Sequence, residues 1–174
     1  VCSFGDASVN HSTAVGAINA ALHSAYQGVP MPLLFVCEDN GVGISVKTPR
    51  DWIERTYGNR DGLKYFEADG SDLQATFAAA AAAAAWVRTH RRPAFLHLRM
   101  VRLMGHAGSD FEPAYRRPAE IAAAYDRDPV LCTAKLLVDS GALTAAQVLD
   151  RYEAKRANVI EIAGEVAEFE QLRS

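Results

Sequence analysis

The chain has 174 residues, 49% of them apolar and 22% charged, which excludes a disordered polypeptide and leaves room for one domain with a sizeable core. Its formal net charge of -3 excludes any general attraction for nucleic acid or an anionic membrane surface. The one dense basic cluster, Arg88 with His90-Arg91-Arg92, falls where a helix is expected to end and complements its dipole there.

Val1 to Phe4 reads as a short buried strand, and Gly5 to Asn10 as the turn that leaves it. An Ala-rich helix with Ile18 and Leu22 on one face follows over Ser12 to Tyr26, stopped by Gly28-Val29-Pro30. The apolar run Leu33 to Cys37 is too short for a helix, so a strand, helix, strand crossover is predicted. A Gly- and charge-rich connection comes next, with a short helix from Pro49 to Tyr57, and then a third strand at Tyr65 to Ala68. Ser71 and Gln74 form a capping-box pattern for a helix that runs through eight consecutive alanines, Ala78 to Ala85, to about Thr89, with Phe77 and Trp86 as expected anchors. That alanine tract is too short and carries too little side chain to cross a bilayer.

Pro93 restarts the chain, and Ala94 to Val101 reads as a fourth strand before the polar loop Leu103 to Tyr115. Pro118 and Pro129 open helices to about Arg127 and Gly141, and Thr144 with Gln147 caps a last long helix. In that helix Val148, Tyr152, Val159, Ile162, Val166 and Phe169 form a stripe that wants a partner. The expected class is α/β, a mostly parallel sheet flanked by helices, with residues 1–141 as the main domain and 142–174 as a long C-terminal helix packing on it or on another subunit. The opening Val-Cys-Ser-Phe lacks an initiator Met and reads as the middle of a sheet, so a fragment or processed product without its N-terminal strands is expected. Cys2, Cys37 and Cys132 have no metal-ligand spacing, and an odd count without a signal sequence points to reduced thiols in a cytosolic-type compartment. Cys2 and Cys37 are expected in the core.

Ligands of open parallel sheets bind at the carboxyl ends of the strands, and three polar loops leave strands there: Gly5 to Asn10, Glu38 to Gly43 and Arg102 to Asp110. The first precedes a helix N-terminus, where free N–H groups favour phosphate, and Gly5, Ala7 and Ser8 are small enough to let it approach. Asp6 offers a carboxylate oxygen, Asn40 an amide oxygen and Val42 a carbonyl, a set suited to a hard cation such as magnesium. Arg102 and His106 would neutralise a diphosphate from the third loop. By spacing alone the same residues are also compatible with ordinary polar turns.

Gly5-Asp6-Ala7-Ser8-Val9-Asn10, followed by Cys37-Glu38-Asp39-Asn40-Gly41-Val42-Gly43, resembles the thiamine diphosphate motif in its version from the α subunit of 2-oxo acid dehydrogenases, the E1 component of the pyruvate and branched-chain complexes. Arg102-Leu103-Met104-Gly105-His106-Ala107-Gly108-Ser109-Asp110, with Tyr115-Arg116, is similar to that family's Arg-x-x-Gly-His-x-x-Ser-Asp loop. The resemblance implies a transketolase-like, thiamine diphosphate-binding fold. It makes Asp6, Asn40 and the Val42 carbonyl the magnesium ligands, places Gly5, Ala7 and Ser8 along the diphosphate, and puts Arg102 and His106 on its other side, His106 also in a catalytic role. It also implies decarboxylation of a 2-oxo acid, transfer of the acyl group to a lipoyl-bearing E2, a β subunit or β region that supplies the activating glutamate, and no activity for this chain alone. The compartment would be the cytoplasm, or the mitochondrial matrix in a eukaryote. Ala7 replaces the motif's usual Gly, and Asp39-Asn40 replaces its Asn-Asn. An acetoin dehydrogenase, another thiamine diphosphate enzyme of the transketolase kind, and an inactive scaffold fragment are the alternatives.

Overall fold

The computed structural model describes residues 1–170. Contacts divide the chain into two units, Val1–Pro129 and Val130–Ser174, of which the last four residues lie outside the described ones, as does the end of the expected 142–174 segment.

The first unit is built on a parallel sheet of β1 (Cys2–Gly5), β2 (Leu34–Asp39), β5 (Lys64–Asp69) and β6 (Ala94–Arg99), in the spatial order β1-β2-β6-β5. Between β2 and β5 lie a small antiparallel ribbon, β3 (Val42–Gly43) and β4 (Val46–Lys47), and the short helix α2 (Trp52–Tyr57). Side chains alternate across each strand, and β2 divides accordingly: Phe35 and Cys37 enter one core, Leu34 and Val36 the other. The first core is sealed by Ile18 and Ala21 of α1 (Ser12–Tyr26) and by Ile53 and Tyr57 of α2. Tyr57 stacks on Phe95 with ring centroids 4.7 Å apart. Burial of Phe35 or Phe95 contributes roughly 1.5–3 kcal/mol each. The second core is sealed by Ala83 and Val87 of α3 (Leu73–His90), whose alanines let the helix lie close on the sheet. The step from β1 to β2 and the step from β5 to β6 run in opposite directions along the sheet, so crossovers of one hand place α1 and α3 on opposite faces.

Local chemistry explains the boundaries. The His11 ring accepts from the Thr13 N–H at 3.2 Å to open α1, and Gly28 at φ +84° terminates it. The cap of α3 is Asp72, whose carboxylate accepts from Ala75 N–H at 3.0 Å; this corrects the expected Ser71 by one residue. Two further expectations are corrected. Cys2 is exposed, because β1 lies at the edge of the sheet, and Phe77 is 74% exposed on the outer face of α3 rather than an anchor. Trp86 is partly buried and stacks on His90. The unit closes with α4 (Pro118–Tyr125).

The second unit holds α5 (Pro129–Asp139), which begins at the boundary, and α6 (Ala145–Ala167), capped reciprocally by Thr144 and Gln147. Tyr152, Val159, Ile162 and Val166 are exposed along α6, and Phe169 lies beyond its last turn. Among the described residues no helix is long and apolar enough to cross a membrane.

Candidate functional site

Gly5 closes β1 opposite Glu38, so Asp6 leaves the sheet at the level of Asp39. Asp6 is only 3% exposed. Its Oδ2 accepts from the Thr48 hydroxyl, and among the described residues its other oxygen accepts nothing. Among the described residues Arg102 Nε is the one buried side-chain polar atom without a partner, so the free Asp6 oxygen still reaches the surface at the strand end, where it can face a ligand. Ala7 has φ -73° and ψ -43°, a right-handed helical conformation open to any residue, so its Cβ introduces no backbone strain where the motif has Gly. Ala7 and Ser8 are exposed around a single 3-10 turn, Ser8–Asn10. Asn10 fixes that turn: its Nδ2 donates to Asp6 O at 3.2 Å and its Oδ1 accepts from Trp52 Nε1 at 2.6 Å. Farther along α1, Arg60 donates to the side-chain oxygen of Asn19. Three polar rungs therefore tie the segment from Thr48 to Arg60 to the segment from Asp6 to Asn19.

At the end of β2 two Asx turns follow one another. Asp39 Oδ1 accepts from Gly41 N–H at 3.0 Å, and Asn40 Oδ1 accepts from Val42 N–H at 3.1 Å. Gly41, at φ +76°, supplies the left-handed conformation this path needs. Asn40 Oδ1 keeps a second lone pair for a ligand. A Cβ built on Gly43 would lie 2.5 Å from Ala7 Cβ, so the ribbon and the first loop are in direct contact. The other Asp39 oxygen lies 2.8 Å from Nε2 of the buried His97, whose Nδ1 is 2.7 Å from the Tyr65 hydroxyl. The His97 hydrogen bond, against the opposing effect of burial, holds the Asp39 carboxyl below its ordinary range. Burial, and then the charge of Glu67, pushes the Tyr65 phenol up. Burial, followed by the charges of Asp39, Asp6 and Glu38, pushes the Cys37 thiol up as well, which marks this end of the sheet as electronegative.

The third loop reaches the same place through Arg102. One guanidinium nitrogen donates to Ile44 O at 2.6 Å and the other to the Tyr115 hydroxyl. Ile44 takes a left-handed φ of +57°, a strained setting for a β-branched residue at the bend of the ribbon. Asp110 Oδ2 collects the Tyr115 hydroxyl at 2.6 Å and the His106 N–H at 2.7 Å, and these bonds, Tyr115 first, hold its carboxyl below the usual range. Arg102 Nε is buried without a hydrogen-bond partner. The His106 side chain is exposed, and among the described residues its ring makes no hydrogen bond.

The structure thus brings Gly5, Asp6, Ala7 and Ser8 beside Val42 and the ribbon, and brings Arg102 to the same ribbon. It leaves His106 at the rim. Among the described residues no three His, Cys, Asp or Glu side chains group as a metal site, while the expected ligand set is one carboxylate, one amide and one carbonyl. Sequence reasoning missed Thr48, for which no motif exists. It also missed the His97 and Tyr65 pair, for which the signal was a lone His inside the apolar run Ala94 to Leu98.

A parallel sheet whose carboxyl-end loops converge on a buried carboxylate and an arginine defines an α/β protein that holds its ligand outside the strand ends. The chain belongs to the family described as Dehydrogenase E1 component, whose model matches residues 1–173. It is 30% identical over 171 residues to the pyruvate dehydrogenase E1 component subunit alpha of Rickettsia conorii, covering 96% of this chain and 49% of that protein. It is 28% identical over 167 residues to the somatic, mitochondrial form of the same subunit from Homo sapiens, covering 94% of this chain and 41% of the relative. With the type I mitochondrial subunit of Ascaris suum the identity is 27% over 150 residues, covering 85% of this chain and 37% of that protein. The chain therefore spans about half, or less, of the length of these relatives.

Proposed function

We propose that this chain is the diphosphate- and magnesium-holding part of a thiamine diphosphate-dependent 2-oxo acid dehydrogenase α subunit. The observation that carries the reading is the Asp6 side chain, held by Thr48 through one oxygen and leaving the other open where three strand-end loops meet. A divalent cation would take that open oxygen as a ligand. Asp6, Asn40 Oδ1 and the Val42 carbonyl would hold the metal, Gly5, Ala7 and Ser8 would face the diphosphate, and Arg102, through its unpartnered Nε, and His106 would bind it from the third loop. When bound, thiamine diphosphate supplies the electron sink that decarboxylation of a 2-oxo acid requires. The chain's own work is to anchor and orient that group and, through His106 at the rim, to exchange a proton near it. Pyruvate is the 2-oxo acid named in the relatives and the first substrate to test, with branched-chain acids second. The acyl group would pass to a lipoyl-bearing E2. A β subunit or β region would supply the missing acid that activates the cofactor, so this chain alone would be inactive. The exposed apolar stripe of α6, in the 142–174 segment, suits packing against that partner.

Calorimetric titration of the full-length assembly with thiamine diphosphate and magnesium tests the reading. We expect magnesium-dependent binding, weakened at least about 100-fold in Asp6→Ala, the upper end of what loss of a site's supporting groups costs. Binding that is absent from the wild type, or equal in Asp6→Ala, would overturn it.

A further inference from the structure

His97 is buried in the middle of β6 at 1% exposure, yet both of its ring nitrogens are engaged. Nε2 faces Asp39 Oδ2 at 2.8 Å. An ionised carboxylate has only acceptor sites, so the proton of that bond belongs to the imidazole. Nδ1 faces the Tyr65 hydroxyl at 2.7 Å, and the two rings are tilted by 57°. Tyr65 is itself stacked on Phe95 in the core, so the ring of His97 is held from the far side of β6.

The Asp39 backbone is already fixed by the sheet, since it pairs with Arg99 and its carbonyl accepts from Met100 N–H at 2.7 Å. What remains free is its side-chain rotamer. In the rotamer seen, Oδ2 meets His97 while Oδ1 accepts from the Gly41 N–H at 3.0 Å. That bond opens the path on which Asn40 Oδ1 meets the Val42 N–H. A chain of contacts thus runs from edge strand β5 through Tyr65, His97 and Asp39 to the turn that carries Asn40 and Val42. We infer that His97, braced by Tyr65, is a positioning residue that sets the Asn40–Val42 turn for a divalent cation.

This inference rests on the magnesium-holding role proposed above, and the experiment separates the two. Magnesium-dependent thiamine diphosphate binding is measured by calorimetry in the full-length assembly, with manganese(II) as a paramagnetic substitute read by its resonance line shape. His97→Leu, His97→Gln, Asp39→Ala and the double variant His97→Leu/Asp39→Ala are compared. His97→Leu is expected to weaken metal-dependent binding by about 10–100-fold, the usual effect of losing a group that orients a ligand. His97→Gln, which can donate to Asp39 and accept from Tyr65, should recover most of that loss. In the Asp39→Ala background His97→Leu should cost less than about twofold, because its route to the turn is gone. An unchanged affinity in His97→Leu, or the same loss in both backgrounds, would overturn the inference while leaving the cofactor reading intact. If His97→Leu does not fold, Tyr65→Phe, which keeps the ring and deletes the hydroxyl, replaces it: weaker binding that vanishes as an effect in the Asp39→Ala background supports the inference, and unchanged binding overturns it. A wild type that binds neither metal nor cofactor overturns both.

Discussion

Glu120 shows how much a single carboxylate near the surface can report. It accepts the Arg117 backbone N–H at 2.9 Å, Lys47 Nζ at 3.0 Å and Arg117 Nη2 at 3.2 Å. Those donors, the backbone N–H first, bring its pKa down from 4.5 to about 2. A carboxyl with a lower pKa in the folded than in the unfolded chain stabilises the fold fully above the unfolded value and loses that effect as pH falls toward the folded one. Glu120→Gln should therefore lower the thermal midpoint at neutral pH, and the difference from wild type should shrink between pH 4.5 and about 2. Circular dichroism melts across that range check it; a difference independent of pH would mean the charge is irrelevant. Among residues, Asp6, Asn40 and Arg102 were legible because they occur in spaced motifs. Thr48 was not, since it meets Asp6 only after a ribbon has turned the chain back over 42 positions. His97 was hidden for a different reason. Alternation marks a residue as inward facing but does not say that two polar partners from neighbouring strands will meet it there.

At the scale of elements, periodicity and caps suffice to locate the strands and helices longer than about four residues, with ends shifted by up to three positions, the largest shift being at α2, which begins at Trp52 rather than Pro49. The ribbon escaped notice because two-residue strands are too short to carry any alternation. Yet this ribbon joins the three loops, and its fit against the first loop is tight enough to predict a mutation. Gly43→Ala places a methyl 2.5 Å from Ala7 Cβ, so something must shift. Overpacking of this kind costs about 1–3 kcal/mol. Ala7→Gly removes the opposing methyl and should rescue most of the loss, giving a non-additive pair in denaturant titrations. If the two substitutions simply add, the contact between the loops is not what limits the site.

At the scale of the whole molecule, alternating strands and helices announced a parallel α/β sheet, and the family match agrees. The order of the strands was not legible, because the placement of β6 between β2 and β5 depends on which neighbours the crossover helices can cover, not on any local pattern. The three rungs from Thr48, Trp52 and Arg60 to Asp6, Asn10 and Asn19 belong to this scale. We expect these bonds to make the ribbon, α2 and the flank of α1 open and close together. Thr48→Ala should then speed amide hydrogen exchange not only at Thr48, whose N–H bonds Gly41 O at 3.0 Å, but also through α2; faster exchange confined to the ribbon would show that the rungs act singly. In kinetic terms, a cation captured by Asp6 would act as a latch on a stretch of chain several turns away, so its departure rate would be set by how often that stretch breathes as well as by the strength of the bonds it makes.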